Sequence, residues 1–344
     1  MNASTDFTPG MELSVIVPAR NEEDCLERCL RSLAGQSDVG LILGKDLEIL
    51  LIDDGSTDRT RQIAESIPGV TVMDPRQLAK GWTGKANAVW SGAQVARGQW
   101  LLFTDADTIH EPGSLRRAIH EAERAGVAML SYSPRQLVSG FWQRALMPLV
   151  FSELALAYPP EKVSDPGSRL AAANGQFVLI TRDAYSKIGG HEAVADSVLE
   201  DVDLAYLVKR QKLGLRFRYA PDAISARMYR SFGQMIEGWT KNLGLLFGNC
   251  LALAAWRLLD IALIVGLPLL ALAIDRPLAR VVLLLLWLRN LWRFYRRAGK
   301  SNFPVLDCGL SVFGLPLFAM LLCRSWFHHT IRKRVVWKGR EYPA

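Results

Sequence analysis

From Glu12 to about Leu215 the chain alternates short β-rich runs with amphipathic stretches of helical period. Leu13–Val17 forms one such run, and Pro18-Ala19-Arg20-Asn21-Glu22-Glu23 breaks it and opens a helix expected to reach about Ala34. Leu47–Ile52 is a second run, stopped by Asp53-Asp54-Gly55-Ser56-Thr57-Asp58 and followed by a helix to about Ser66. Val70–Val72 is a weaker third strand, and Trp100–Thr104 is another, stopped by Asp105-Ala106-Asp107. Strands alternating with helices predict βαβ units and an α/β fold with a mostly parallel sheet. Ligands of such sheets bind beyond the carboxyl ends of the strands. The three polar breaks all follow strands, so they are expected to converge on one crevice.

After about Trp239 the pattern changes. Three apolar stretches follow, roughly Leu251–Ile274, Leu278–Trp292 and Phe303–Cys323. The first and last reach the length of a bilayer helix, and the middle one is shorter. Arg293, Arg296, Arg297 and Lys300 form one basic cluster, and Arg332, Lys333, Arg334, Lys338 and Arg340 form another. Both belong on the cytoplasmic side by the positive-inside rule, whereas three full crossings put them on opposite sides. The charges carry more weight than the count. Pro304, Gly314 and Pro316 interrupt the last stretch, for which a re-entrant hairpin stands beside a full span, so the region reads as two to three spans or a re-entrant segment. Phe141–Tyr158 is a separate apolar stretch for which two readings stand, a helix lying on the membrane surface and an ordinary buried helix.

Composition agrees with a polar domain joined to an apolar one. Half of the 344 residues are hydrophobic, mean hydropathy is +0.11, and yet 22% are charged. The net charge of +7 suits phosphorylated ligands, nucleic acid or an anionic membrane. The densest basic clusters flank apolar stretches, which disfavours nucleic acid. Cys25 and Cys29 lie four apart with no nearby histidine pair and read as packing residues, and no disulfide framework is visible. Met1–Gly10 lacks the layout of a signal peptide, so the polar domain is expected in the cytosol, at the inner face of the cell membrane.

Asp105-Ala106-Asp107 follows a strand, which delivers both carboxylates to the crevice. Hard oxygen ligands suit Mg²⁺ or Mn²⁺, the cations that neutralise a diphosphate. Asp107 is the first candidate metal ligand, with Asp105 reaching the ribose or sugar of a donor. Asp53-Asp54-Gly55-Ser56 has two readings: turn and helix-cap chemistry, and a base-recognition site in which Asp54 accepts from a base N–H while Asp53 holds the loop. Pro18, Ala19, Asn21 and Glu22 lie in the segment that would form the other wall. Lys85, in Gly81-Trp82-Thr83-Gly84-Lys85-Ala86-Asn87, stands at a helix start that suits a phosphate or ribose; the spacing is not that of a P-loop. Glu200-Asp201 begins a helical stretch, Asp201–Lys212, as a general base aimed at an acceptor or as stabilising acid at a helix N-terminus.

Taken in order, Pro18-Ala19-Arg20-Asn21-Glu22, Asp53-Asp54-Gly55-Ser56, Asp105-Ala106-Asp107 and Glu200-Asp201 resemble the family 2 glycosyltransferases with the GT-A fold, a Rossmann-like domain. The resemblance covers roughly residues 12–245, after an N-terminus over 1–11 expected to be disordered and before a membrane region over 246–325 and a basic tail over 326–344. It implies inverting, metal-dependent single displacement from a nucleotide-sugar donor, often UDP-linked, with Asp201 as base. Ala173-Asn174-Gly175-Gln176-Phe177, Gly189-Gly190-His191, Arg227-Met228-Tyr229 and Glu237-Gly238-Trp239-Thr240-Lys241 are similar to membrane enzymes that act on carotenoid-type and hopanoid-associated lipids, and Trp337-Lys338-Gly339-Arg340 agrees. Gln176, Glu200, Arg227, Arg230 and Trp239 thereby become candidates for the acceptor or the diphosphate. Processive polysaccharide synthases carry Gln-x-x-Arg-Trp here, whereas this chain has Gln234 and Trp239 with no arginine between, which implies one sugar per lipid acceptor. Synthesis of a polyprenyl-phosphate sugar is the alternative reading, and a non-catalytic membrane scaffold a more distant one.

Overall fold

The structure, a computed structural model, describes residues 10–36, 40–337 and 340–343. The segment 1–9, and Lys338 and Gly339 of the terminal basic motif, lie outside the described residues. The chain forms two compact units, one of residues up to 137 with 160–228, the other of residues 138–159 with 229 onward. The apolar stretch expected within the polar domain thus belongs to the second unit.

The first unit opens with β1 (Leu13–Ala19), α1 (Leu26–Ala34), β2 (Leu47–Asp53), α2 (Thr60–Glu65) and β3 (Val70–Met73). It continues through α3 (Gly84–Val95), β4 (Trp100–Phe103), β5 (Thr108–His110), α4 (Ser114–Ala125), β6 (Met129–Ser133) and β7 (Arg135–Gln136). After α5 (Gly140–Ala157) of the second unit it resumes with α6 (Pro160–Ser164), β8 (Val178–Thr181), α7 (Arg182–Lys187), α8 (Glu200–Arg210), β9 (Leu215–Tyr219) and β10 (Ile224–Ala226). Seven strands pair in the order β3-β2-β1-β4-β8-β6-β9, and among the described strands β8 alone runs against the others. The mostly parallel α/β sheet expected from the alternation is therefore present. β2 is buried along its whole length, as a strand covered on both faces must be.

Register decides where the strand ends fall. Ala19 stands beside Asp53, and Ile16 beside Phe103, so the first two breaks emerge together with Thr104 and Asp105 close by. Helix α3 is held tightly over β1 and β2 through Gly92, where a Cβ would lie 2.7 Å from Ile16 Cγ2. Thr83 caps that helix by accepting from Ala86 N–H, which fixes the position of Lys85 in its first turn. The segment after β1 does not open a helix directly. Asn21 takes a left-handed backbone (φ 54), and α1 starts only at Leu26.

The second unit contains α5, α9 (Phe232–Leu246), α10 (Cys250–Ala273), α11 (Pro277–Ala298) and α12 (Val305–Phe327), then a strand pair, β11 (Arg334–Trp337) and β12 (Arg340–Pro343). Among the described residues α10 and the helical segment Val305–Arg332 are long and apolar enough to cross a membrane; α11 does not reach that composition. The re-entrant break that stood as one reading of the last stretch is absent, because α12 is one helix from Val305 to Phe327. Pro304 precedes its first turn, where no N–H is required, and Pro316 is absorbed within it. Gly314 serves close packing: a Cβ there would collide with the Ala145 carbonyl oxygen of α5. Most of α5 is buried from Gln143 to Glu153, which settles its middle as a core helix, while Phe141 and Trp142 stay exposed at its start.

Candidate active site

The first two breaks are stitched to each other. Asp54 N–H donates to the Ala19 carbonyl (2.9 Å), and the Arg20 guanidinium donates to the Asp54 carbonyl (3.1 Å) and faces its carboxylate at 3.7 Å. Asn21 N–H donates to Ser56 Oγ (3.0 Å), and Asn21 Oδ1 accepts from Thr57 N–H (2.8 Å). Glu22 N–H donates to Thr60 Oγ1 (2.7 Å). These bonds hold Asn21 in its left-handed backbone, which is incompatible with a helix running straight on from β1. Asp53 is buried, accepts from Ser56 N–H (3.0 Å) and lies 3.6 Å from Arg61.

Beside this loop pair, Pro18, Thr104, Asp105, Lys85, Gly175 and Asp201 line one pocket, with Glu200 and His191 at its wall. Lys85 Nζ lies 2.9 Å from Asp105 Oδ1 and 2.9 Å from Glu200 Oε1. Two carboxylates from distant segments of the chain are thus joined by one cation. Burial opposes the charge on Lys85, but Asp105, Glu200 and Asp201 outweigh it and hold the ammonium well above the usual lysine range. Asp201 Oδ2 accepts from Gly175 N–H at 2.5 Å. Burial pushes Asp201 up to about 7, the neighbouring Glu200 adds to the rise, and Lys85 with the N–H groups of Val202 and Gly175 opposes it. A carboxyl poised near neutrality at the mouth of a cleft is suited to accept a proton. A Cβ at Gly175 would sit 2.9 Å from Lys85 Nζ and 3.3 Å from Asp201 Oδ2, so a side chain there would displace the two charged groups.

Asp107 stands one step further along the same loop. Its carboxylate accepts from Gln176 Nε2 at 3.3 and 3.4 Å, and Gln136 Nε2 in turn donates to Gln176 Oε1 (2.9 Å). Gln176 is buried, so its amide orients Asp107 from behind. Arg227 N–H donates to the Asp107 carbonyl (3.1 Å), placing Arg227 beside the loop. No group of three or more His, Cys, Asp or Glu side chains able to hold a metal occurs among the described residues. A cation shared with a diphosphate needs only one or two carboxylates from the protein, the phosphate oxygens and water supplying the rest. The donor set of Asp107, with Asp105 two residues before it, fits that demand. Burial raises the Cys29 thiol to about 12, which keeps it neutral and agrees with a packing role.

Arg230 and Trp239 lie in the second unit. Arg230 N–H donates to Gln234 Oε1 (2.9 Å). The Trp239 indole is 2% exposed, with Nε1 3.3 Å from Met147 Sδ and edge-on contacts to Phe151 and Tyr229, so packing accounts for its position. His191 and Tyr185 were not singled out by residue chemistry. Tyr185 Oη and His191 Nδ1 are 2.9 Å apart, His191 stands edge-on to Phe103, and burial pushes its imidazole down to about 4. The available signal was Gly189-Gly190: Gly190 has φ 55, and a Cβ there would strike the Tyr185 ring.

With this geometry in view, residues 14–189 match the sequence model described as glycosyl transferase family 2. A 4,4'-diaponeurosporenoate glycosyltransferase of Staphylococcus aureus is 28% identical over 350 positions, covering 96% of this chain and 88% of that protein. The counterpart from another strain of that organism is 29% identical over 353 positions, with the same coverage. A mannosyltransferase from Pyrobaculum calidifontis, solved with GDP-Man and Mn²⁺, shares the fold with a TM-score of 0.53 at 18% identity, covering 95% of this chain and 89% of that one.

Proposed function

Because the chain belongs to glycosyl transferase family 2 and so transfers a sugar from a nucleotide-sugar donor, we propose that it does so by inverting, metal-dependent single displacement onto an isoprenoid-derived lipid in the membrane. The observation that carries this reading is the meeting of Lys85, Asp105, Glu200 and Asp201 in one pocket at the strand ends, with Asp107 on the adjoining loop. The lipid acceptor is supported by the similarity to the staphylococcal enzyme, which is named for a carotenoid acid. A UDP-linked donor and the position at the inner face of the cell membrane belong to the same proposal.

Asp54, with the Pro18–Glu22 wall, takes the base of the donor, and Asp53 holds that loop. Asp105 and Lys85 meet the ribose and diphosphate, and Asp107 is the metal ligand, kept in orientation by Gln176. When bound, Mg²⁺ or Mn²⁺ supplies neutralisation of the charge that gathers on the departing diphosphate. For a hydroxyl acceptor Asp201 accepts the proton as that oxygen forms its bond to the anomeric carbon, whereas a carboxylate acceptor attacks already ionised. The bond from that carbon to the diphosphate oxygen breaks, and the nucleotide leaves with the electron pair. A single in-line displacement inverts the anomeric centre. Arg227, beside Asp107, is placed to contact the diphosphate.

The alternative acceptor, a polyprenyl phosphate, calls for free arginines in the Arg293–Lys300 cluster. Arg297 of that cluster is directed at Asp260 (3.6 Å) and Glu153 (3.8 Å), whereas Arg293, Arg296 and Lys300 stay exposed, so the second reading keeps the cations it needs. Membranes bearing the protein, incubated with a panel of labelled nucleotide sugars, host lipid extract and Mn²⁺ or Mg²⁺, are expected to yield one labelled lipid carrying a single sugar. Full turnover by Asp107→Ala and Asp201→Asn, or transfer in the absence of any divalent cation, would overturn the mechanism.

A further inference from the structure

The helical unit holds three observations that bear on how it meets a bilayer. Helices α10 and α11 pair as an antiparallel hairpin: Trp287 Nε1 donates to the Ile264 carbonyl at 2.9 Å. At its tip Arg280 donates to the carbonyls of Ala271 (3.1 Å) and Ile274 (2.9 Å). These are end-of-helix acceptors with no partner inside α10, and with exposed Asp275 and Arg276 beside them they make a polar tip suited to the far headgroup layer. The outer faces of the hairpin are apolar, with Leu272 and Leu278 each 78% exposed and Leu269 and Leu285 each 60% exposed.

The base of the hairpin has a different character. Trp256 and Trp292 stand out at 62% and 60% exposure, and the Arg296 guanidinium lies 5.1 Å from the Trp292 ring centroid. Exposed Arg289, Arg293 and Lys300 surround them. Tryptophan favours the membrane–water boundary, and a basic band beside it complements anionic lipid headgroups. The two stems are locked at this level: Arg257 pairs with Glu153 (3.0 Å) and Asp260 (3.1 Å), and Arg297 approaches the same two carboxylates.

The helical segment Val305–Arg332, which contains α12, is as apolar as α10, yet half of its most apolar stretch is buried inside the protein, against 17% for that of α10. Both of its ends are tied to the base. Cys308 Sγ donates to the Ala298 carbonyl (3.6 Å), where α11 finishes. Ser325 Oγ donates to the Thr240 carbonyl (2.6 Å) and accepts from Gly244 N–H (2.7 Å), in the helix that immediately precedes α10. We propose that, among the described residues, the α10–α11 hairpin is the one membrane-embedded element, that it enters an anionic bilayer from the face carrying Arg289, Arg293, Arg296 and Lys300, and that α12 stays on that face as a core helix. The two basic clusters, which three crossings would separate, then lie on one side. This deepens the proposed attachment to a membrane and rests on it.

The test uses the full chain in sealed inside-out membrane vesicles, with Cys323→Ser removing the exposed native thiol. Val305→Cys and Ile331→Cys, at sites 89% and 58% exposed, mark the two ends of the segment. An impermeant maleimide is expected to label both without detergent. Labelling of one end only after detergent overturns the inference while leaving membrane attachment intact. Release of the unsubstituted chain by carbonate overturns both. The double variant Leu272→Glu/Leu285→Glu changes exposed positions, so its thermal transition is expected to be unchanged while binding to phosphatidylglycerol vesicles falls at least tenfold; unaltered binding also overturns the inference.

Discussion

The two charges that flank Asp201 act on it in opposite senses, and this sets up a test with a sign on each arm. Asp201 is raised to about 7, by burial first and by Glu200 next, with Lys85 opposing the rise. Glu200→Gln removes the like charge, so the folded Asp201 ionises at lower pH and the acid limb of activity moves toward acid. Lys85→Met removes the opposite charge, and the limb moves toward alkaline pH. A charge within a few ångströms is worth about 1–3 pH units on a carboxyl. For a base titrating at about 7, a drop of about one unit raises the ionised fraction at pH 6 from about 0.1 to about 0.5, and by little at pH 8. The assay is kcat/KM for the nucleotide sugar between pH 5 and 9, which follows the free enzyme. Lys85→Met also loosens Asp105, so the limb's midpoint is read rather than the rate. Displacement of both midpoints in one direction, or coincidence of both with the unsubstituted enzyme, would refute Asp201 as the titrating base.

Three further outcomes are expected. Chelation of divalent cations abolishes transfer and added Mn²⁺ restores it; Asp107→Ala loses about 100-fold or more, as removal of an electrostatic partner of a transition state does, while Gln176→Leu raises the metal concentration needed for half-maximal rate. Gly314→Val drives a side chain into the Ala145 carbonyl and lowers stability by about 1–3 kcal/mol, read as a lower melting temperature in detergent. Arg257→Met leaves the buried Glu153 carboxylate with only the more distant Arg297 at a cost of up to about 3–5 kcal/mol, and adding Glu153→Gln recovers part of it in a double-mutant cycle.

Much of the fold was legible because its signals are local. The runs ending at Val17, Ile52 and Thr104 became β1, β2 and β4 within two residues, since a strand buried on both faces must be continuously apolar. Helix starts were less legible. The segment after β1 carries acidic residues suited to a first turn, but contacts with Ser56, Thr57 and Thr60, some thirty-five residues away, hold it in a turn with Asn21 left-handed. The proline and glycine pattern in α12 suggested a break, because sequence cannot tell a glycine that bends a helix from one that admits a neighbouring backbone. In the site, aspartates at strand ends announced themselves by spacing. His191 did not, since its place depends on Tyr185 and Phe103 closing around it.

By itself the sequence determined an alternating α/β domain, an apolar helical region after it, and an ordered set of carboxylates placed where strands stop. Those follow from periodicity and composition, which act over a few residues. The tertiary structure alone decided that Lys85 bridges Asp105 and Glu200, that Gly175 holds Asp201, and that residues 138–159 fold with the C-terminal helices. It also decided that Arg257 and Arg297 share two carboxylates at the base of a hairpin. Apart from Arg257 with Asp260, each of these joins residues well separated in the chain. Charge pairing and close packing depend on distance in space, and no local pattern of residue types encodes that distance.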